Sequence, residues 1–217
     1  MPASTRRVLG ALVAAVGVVL VVLGSWMVVK LGPSGQAQFS TTSRAPGAVV
    51  VTPDVLNTVD VPVRVTATRP NSGAVRVAVA PAPDATAILG TSAVSAVNAV
   101  HYPAGTMDLR ATGSGELGDI STADVWRLAA KGAGSAELVV DQSRAPETVV
   151  VTSGDANPLS DVTVTLTWAN RAWFFQALAA ATIGAVIAAF AMTDLWQSRV
   201  IALQSDIAET TTTEATT

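Results

Sequence analysis

The sequence predicts a mainly β fold, an antiparallel β-sandwich ectodomain flanked by two transmembrane α-helices. Half of the 217 residues are hydrophobic and only 13% are charged, whereas about a quarter of the residues of a typical soluble domain are charged. Most of the excess apolarity lies in two blocks, Val8–Val29 and Ala172–Met192. Between them, short Val/Thr-rich segments alternate with Pro, Gly, Asn and Asp, which is typical of β-strands and turns.

The first apolar block has the length of a membrane span. As a helix, Val8–Val29 would measure roughly 33 Å, enough to cross a hydrocarbon core about 30 Å thick. The block ends at Lys30, before a Gly-Pro pair that stops a helix. The alternative is a cleaved signal peptide, because Gly35-Gln36-Ala37 resembles a cleavage site. A signal core is usually only ~7–15 residues long, so we expect an uncleaved transmembrane helix over residues 8–29.

The second apolar block is interrupted only by Gln176 and Thr182, and it predicts a transmembrane helix over residues 171–193. Aromatic residues at the edges of both blocks are typical of the membrane interface. They are Trp26, Trp168, Trp173, Phe174, Phe175 and Trp196.

The arginine pair Arg6-Arg7 predicts the orientation, because positive charge beside the first span stays in the cytoplasm. We therefore expect a plasma-membrane protein with both termini cytoplasmic and residues 31–171 extracytoplasmic. The predicted segments are a cytoplasmic N-terminus (1–7), the first span (8–29), a linker (30–44), the β-sandwich (45–170), the second span (171–193), a short cytoplasmic helix (194–208) and a disordered tail (209–217).

Small residues recur at spacings of three and four in both spans, which places them on one helical face where backbones can approach closely. This face predicts a hairpin in which Gly17 lies opposite Gly184. The alternative is that Ala and Gly are simply abundant in this chain. The predicted helix-packing residues are Gly10, Ala14, Gly17 and Gly24 in the first span and Ala177, Ala181, Gly184 and Ala188 in the second.

An apolar stripe follows the second span. Trp196, Val200, Leu203 and Ile207 are spaced by four, three and four residues on the predicted short helix. The opposite face carries a single arginine, whereas a membrane-surface helix favours many cations. The stripe therefore fits a partner helix or a neighbouring protein better than lipid; the alternative is a plain continuation of the span.

Six segments of the central region are predicted as strands, and two of them alternate apolar and polar residues with period two. A short helix is expected over Asp84–Leu89. A capping box at Ser121–Asp124 predicts a second helix over Val125–Lys131, in competition with a strand. The predicted strands are Ala48–Thr52, Val61–Thr68, Val75–Val79, Leu138–Val140, Thr148–Thr152 and Val162–Trp168.

One internal repeat stands out. Ser43–Thr52 recurs as Ser143–Thr152 with eight of ten residues identical, 100 residues further on. Each copy precedes an alternating strand, which begins at Asp60-Val61 or at Asp161-Val162. A duplicated half-domain would explain this, but the intervening stretches do not align. We favour two strands with the same edge chemistry.

A strand–helix pattern in the central region resembles one in uncharacterised actinobacterial membrane proteins, over about half of the chain. The resemblance implies an extracytoplasmic β-sandwich beside membrane helices, and it implies no activity. The residues that carry it are Val75-Arg-Val77-Ala-Val79, Asp84-Ala85, Leu89-Gly90, Val97, Asp124-Val125-Trp126, Gly132-Ala-Gly134, Leu138, Thr148-Val-Val150 and Asp161-Val-Thr-Val164.

The sequence assigns no residue to catalysis, to a cofactor or to a metal. It has no cysteine and one histidine, His101, which is expected to be an ordinary hydrogen-bonded side chain. Gly113–Gly118 spells G-x-G-x-x-G, but Glu116 and Asp119 bring negative charge into or beside this loop and no parallel α/β pattern surrounds it. We therefore expect a flexible glycine loop that binds no nucleotide. A net charge of −3 without a basic cluster predicts no nucleic-acid partner.

These observations predict a non-enzymatic cell-envelope protein, an accessory, assembly or scaffold subunit of a membrane complex. Its expected partners are the lipid bilayer and another membrane protein or a second copy of the chain. The first alternative is an extracytoplasmic module that binds or senses a ligand. The second is an enzyme whose site has no recognisable sequence pattern.

Overall fold

The computed structural model describes residues 3–70, 72–141, 146–155 and 158–214, and their side chains except at 3, 4, 6, 7, 194, 195 and 197–214. The elements in chain order are α1 (Ala3–Leu31), β1 (Gln36–Ser43), β2 (Ala48–Val51), α2 (Pro53–Leu56), β3 (Val63–Thr68), β4 (Ala74–Pro81), α3 (Ala82–Leu89), β5 (Val94–His101), β6 (Thr106–Thr112), β7 (Leu128–Ala133), β8 (Ser135–Val140), β9 (Glu147–Ser153), β10 (Val162–Ala169) and α4 (Arg171–Glu214).

The chain forms two compact units, each with its own internal contacts. One contains the two long helices, α1 and α4, and the other is the β domain over residues 36–170. The predicted mainly β fold with two long apolar helices is confirmed.

The β domain is a single mixed sheet with the strand order β7-β4-β9-β2-β5-β6-β1-β10-β3-β8. The predicted purely antiparallel arrangement is not what the structure shows, because β2 pairs with β5, and β1 with β6, in parallel. The first and last strands of the order, β7 and β8, meet at a tight turn where Gly134 has a φ of 73°. The sheet therefore curls until its ends meet and is nearly barrel-shaped.

Alternation along β3 and β10 builds the interior of the curled sheet. Val63 and Val65 on β3 are fully buried, as are Val164 and Leu166 on β10. Trp168 continues the inward row of β10. It meets the Phe39 ring edge-on, at 5.6 Å between ring centroids and 78° between ring planes.

The valine runs of β2 and β9 have a different explanation, because these central strands are buried on both faces. Val50 and Val150 pack with Ala85 and Leu89 of α3 in a second hydrophobic cluster outside the curled sheet. Ile120, Val125 and Trp126, from the segment before β7, cover the same cluster. Near-continuous apolar runs are typical of strands covered on both sides.

The two copies of the internal repeat pair with each other. Val50 pairs with Val150, its counterpart 100 residues later. Each copy is followed by an alternating strand, β3 or β10. Val65 of β3 pairs with Leu166 of β10, which is the corresponding residue when Asp60 is aligned with Asp161. An antiparallel pair in which a residue meets its own counterpart has a local twofold axis at that point.

The flanking strands obey the same twofold relation. The order β1-β10-β3-β8 is unchanged when the unit β1-β2-β3 is exchanged with β8-β9-β10. This symmetric arrangement is the one that a duplicated three-strand unit would form. The repeated segments themselves form β2 and β9, which pair with each other in the interior of the strand order. Residues 143–145 of the second copy lie outside the described residues.

Four strands, β1, β5, β6 and β7, were not predicted, and several predicted segments differ from the observed ones. Residues 36–43 of the predicted linker form β1, which pairs with β10 along its whole length. The predicted helix over Val125–Lys131 is replaced at Leu128 by β7, because β4 offers a complete antiparallel partner. Helix α4 runs without a break through the predicted short helix and through residues 209–214 of the predicted tail; the last three residues are not described.

Candidate functional site

Glycines bring α1 and α4 into backbone contact. A Cβ atom at Gly17 would lie 2.7 Å from the backbone N of Ala188 and 2.9 Å from the carbonyl O of Gly184. A Cβ atom at Gly24 would lie 2.6 Å from the backbone N of Ala181. Gly24 follows Gly17 along α1, whereas its contact Ala181 precedes Ala188 along α4. The two helices are therefore antiparallel. No side chain larger than hydrogen fits at these positions unless the backbones separate.

The small residues of both spans lie on the packed faces. Those that are buried are Gly17, Gly24, Ala177, Gly184 and Ala188, and those that are half-buried are Gly10, Ala14 and Ala181. Buried and half-buried positions recur at intervals of three and four residues along both helices, which is the periodicity of coiled-coil packing.

The large apolar side chains of the two helices point away from the pair. Val22 is 61% exposed and Phe190 is 73% exposed. Of the 18 most apolar consecutive residues in Val8–Leu31, 11% are buried, and the corresponding share in Arg171–Thr193 is 22%. Both helices are long and apolar enough to cross a membrane. A water-soluble protein rarely exposes so continuous an apolar surface.

Two polar side chains interrupt the outward surface of α4, and they differ in their partners. The hydroxyl of Thr182 donates to the carbonyl O of Leu178 at 2.9 Å, within its own helix. The carboxamide of Gln176 is exposed on the helix pair. Among the described residues it has no hydrogen-bond partner. Gln176 thus has an unmet hydrogen-bonding capacity within an apolar segment.

The stripe predicted beyond the second span lies on the continuous helix α4. Trp196 is 70% exposed. The side chains of Val200, Leu203 and Ile207 lie outside the described residues, so the face that they form stays a prediction.

A cleft of about 950 Å³ opens in the β domain. Its floor is formed by β4, β7 and the end of β9, and its rim by residues 114–121. Trp126 holds this rim in place, because its indole N–H donates to the carbonyl O of Ile120 at 2.7 Å. The volume lies within the ~300–1,000 Å³ of small-molecule sites.

Two cations lie side by side on the floor of the cleft. Arg76 of β4 pairs in register with Lys131 of β7 on one side and with Thr152 of β9 on the other. Directly opposed residues of an antiparallel pair share a face of the sheet. The Arg76 guanidinium lies 5.5 Å from the centroid of the Trp126 ring. Within the described part of the chain, neither cation has a carboxylate oxygen within 4 Å.

Two of the carboxylates that line the cleft are engaged locally. Asp155 accepts hydrogen bonds from the Ala74 N–H at 3.1 Å and from the Ser153 hydroxyl at 2.7 Å. It also lies 3.8 Å from the buried guanidinium of Arg69. Asp119 accepts a hydrogen bond from the backbone N–H of Ser121 at 2.9 Å.

The environment of Asp119 favours its ionised form. A hydrogen bond from the Ser121 side chain lowers the pKa of Asp119, the hydrogen bond from the Ser121 backbone lowers it as well, and the charge of Arg76 adds a smaller effect in the same direction.

The G-x-G-x-x-G segment forms part of the rim, and two of its glycines, Gly113 and Gly115, lie against the backbone of Thr91 and Ser92. Gly113 has a φ of 71°, and a Cβ atom there would lie 2.0 Å from the carbonyl O of Ser92. Gly115 forms an isolated bridge with Ser92. No helix begins at this segment, so the strand–turn–helix geometry of a dinucleotide site is not present in it.

His101 ends β5 and lies 2.8 Å, Nε2 to Oδ2, from Asp108 on the adjacent β6. This is the ordinary hydrogen bond expected for it. Among the residues that the structure describes, no group of three His, Asp or Glu side chains is placed to hold a metal ion.

The cleft was not predicted from the sequence. Arg76 and Lys131 are 55 positions apart, and only the register of β4 and β7 makes them neighbours. Two sequence features lie in the cleft, the arginine within the predicted strand Val75–Val79 and the glycine motif of the rim, and neither alone indicates a site.

No protein-family model matches this chain, and no curated protein matches it. Among solved structures, a subunit of the Bacillus endospore appendages, described as disulfide-linked pili, is 13% identical with a TM-score of 0.23, over 62% of this chain and 84% of that one. The flagellar cap protein of Escherichia coli is 9% identical with a TM-score of 0.24, over 91% of this chain and 75% of that one. Similarities this low assign neither a fold family nor a function.

Proposed function

We propose that this chain is a two-span protein of the plasma membrane, with both termini cytoplasmic and residues 31–171 extracytoplasmic. It acts as a non-enzymatic accessory, assembly or scaffold subunit that presents its β domain outside the membrane. The observation that supports this most is the helix pair: backbone contact at Gly17 and Gly184 inside, and large apolar side chains outside. A bilayer would cover that outer surface.

Gln176 supports a role within a complex. Its carboxamide lies on the outward face of α4 and has no partner among the described residues. In a bilayer core, a polar side chain is stabilised by a hydrogen bond to a neighbouring helix. Since α1 does not supply that bond, the partner is a helix of another protein or of a second copy.

Replacing Gln176 by Leu is expected to weaken this association while the chain still folds. One interhelical hydrogen bond contributes about 0.6–2 kcal/mol, so the association constant should fall roughly three- to thirty-fold. We would measure the stoichiometry of complexes purified in mild detergent, by mass spectrometry and light scattering.

The matched control is Ala189→Leu, which enlarges an exposed side chain on another side of α4 and should leave the complex intact. A wild-type chain that purifies as a monomer would contradict the subunit role. Equal losses with both variants would contradict the role of Gln176.

A second candidate function, a ligand-binding module, is favoured by one observation. The cleft in the β domain has the volume of a small-molecule site and carries two cations without a carboxylate partner.

A further inference from the structure

We propose that the cleft of the β domain binds an anionic ligand through Arg76 and Lys131. The ligand class is a small molecule, or the end of a polymer, that carries a phosphate or carboxylate group. This site is independent of the two-span architecture, and it would exist even if the chain did not cross a membrane.

The first argument is the opposition of like charges. Arg76 and Lys131 occupy directly opposite positions on β4 and β7, and like charges in that arrangement destabilise a sheet. An anion that bridges the two side chains would reverse the sign of this interaction. Arg76 is half-buried against Trp126, so its guanidinium is already held in place before a ligand arrives.

The second argument is that no described carboxylate forms an ion pair with Arg76 or Lys131, although Asp119 is close enough for the charge of Arg76 to lower its pKa. Asp155 is engaged by Ala74, Ser153 and Arg69, and Asp119 by Ser121. Glu116 is on the exposed rim, and in the described chain no oxygen of it lies within 4 Å of either cation. The two cations therefore remain available to a ligand oxygen.

The third argument comes from the internal twofold. It relates Gly47, at the cleft end of β2, to Glu147, at the start of β9. Glu147 is 6% exposed and forms an ion pair with Arg127. One end of the central strand pair is thus closed by a buried carboxylate that forms an ion pair with Arg127. The cleft end has a glycine in place of that carboxylate, and its two cations have no ion-pair partner among the described residues.

The lining of the cleft defines the rest of the ligand. Thr152, Ser121 and the glycine-rich rim also line the cleft, and Pro158 and Leu159 add apolar surface. These groups suit a ligand with one anionic group, further oxygens and a small apolar body. The described carboxylates do not form a cluster that would hold a metal ion instead.

The test measures binding of two probes, inorganic phosphate and N-acetylalanine, to the full chain in detergent by titration calorimetry and by changes in tryptophan fluorescence. We expect saturable binding of at least one probe, weakened by added salt because the contacts are electrostatic. Binding of phosphate alone assigns a phosphate-bearing ligand, and binding of N-acetylalanine alone a carboxylate; binding of both assigns a general oxyanion site.

The variants are Arg76→Gln and Lys131→Gln, alone and together, with Arg110→Gln as the matched control on exposed β6. We expect a loss of affinity of at least about tenfold in the double variant, corresponding to 1.4 kcal/mol, and no change in the control. The thermal midpoint shows that each variant is folded. Absence of saturable binding of both probes up to about 10 mM, or an equal loss with Arg110→Gln, overturns the proposal.

Discussion

Replacing Gly17 or Gly184 by Leu is expected to separate α1 from α4. A Cβ atom at either position already lies 2.7 Å from a backbone atom of the other helix, and backbone cannot rotate aside as a side chain can. Overpacking a core costs about 1–3 kcal/mol, and we expect the upper end of this range. The measurement is disulfide formation between cysteines introduced at Val21 and Ala181. The backbone N of Val21 lies beside Gly184, and the backbone N of Ala181 lies beside Gly24.

The matched control is Ala15→Leu, which makes a similar enlargement at an exposed position of α1. Val19→Leu, also exposed, is a second control. Both controls should retain the disulfide. Efficient trapping in the Gly17→Leu variant would contradict backbone contact at this position. Disulfides between identical chains through Val21 alone would show that this face joins two copies instead.

Replacing Trp168 by Ala is expected to lower the free energy of unfolding of the β domain by a large fraction. Trp168 is 1% exposed and stacks edge-on against Phe39. A buried Trp→Ala change typically costs about 3–5 kcal/mol, against a total domain stability of about 5–15 kcal/mol. Pulse proteolysis of the full chain across a urea series would report the shift in the unfolding midpoint.

Trp168→Phe separates packing from hydrogen bonding at the same position. The indole N–H is buried and has no acceptor among the described residues, and such a group costs about 1–3 kcal/mol. Removing it should offset part of the lost volume, so the Phe variant should lose clearly less stability than the Ala variant. Trp196→Ala, at a 70% exposed position, should have no effect. An unchanged midpoint for Trp168→Ala would disprove the role of this side chain in the core.

The fold was predictable where burial leaves a pattern in the sequence. The alternation in Val162–Trp168 predicted a strand, and the two apolar blocks predicted two helices. In both cases the pattern depends only on residues that are close together in the sequence. The strand β7, by contrast, contains Leu128, three alanines, a lysine and a glycine, and these residues have little strand propensity. Its conformation is set by pairing with β4, which is a long-range contact.

The helix contacts and the cleft differ in the same way. Spacings of three and four within each helix identified the faces that hold Gly17 and Gly184, because helical periodicity is local. Whether Arg76 and Lys131 are neighbours depends on the register of two strands that are far apart in the sequence. A shift of one residue would place these side chains on opposite faces of the sheet. The two parallel strand pairs depend on how the chain connects distant strands, which no local pattern shows. The sequence alone therefore predicted a purely antiparallel sheet.

The most direct test of the two-span arrangement is the accessibility of single cysteines in intact cells. The chain has no cysteine of its own, so an impermeant thiol reagent reports only the introduced one. We expect labelling at Ser72 and Ser114, both exposed in the β domain. At Thr212, labelling is expected only after the cells are permeabilised. Labelling of Thr212 in intact cells, or a mature chain that begins at Gln38, would contradict a protein anchored by both helices with its termini in the cytoplasm.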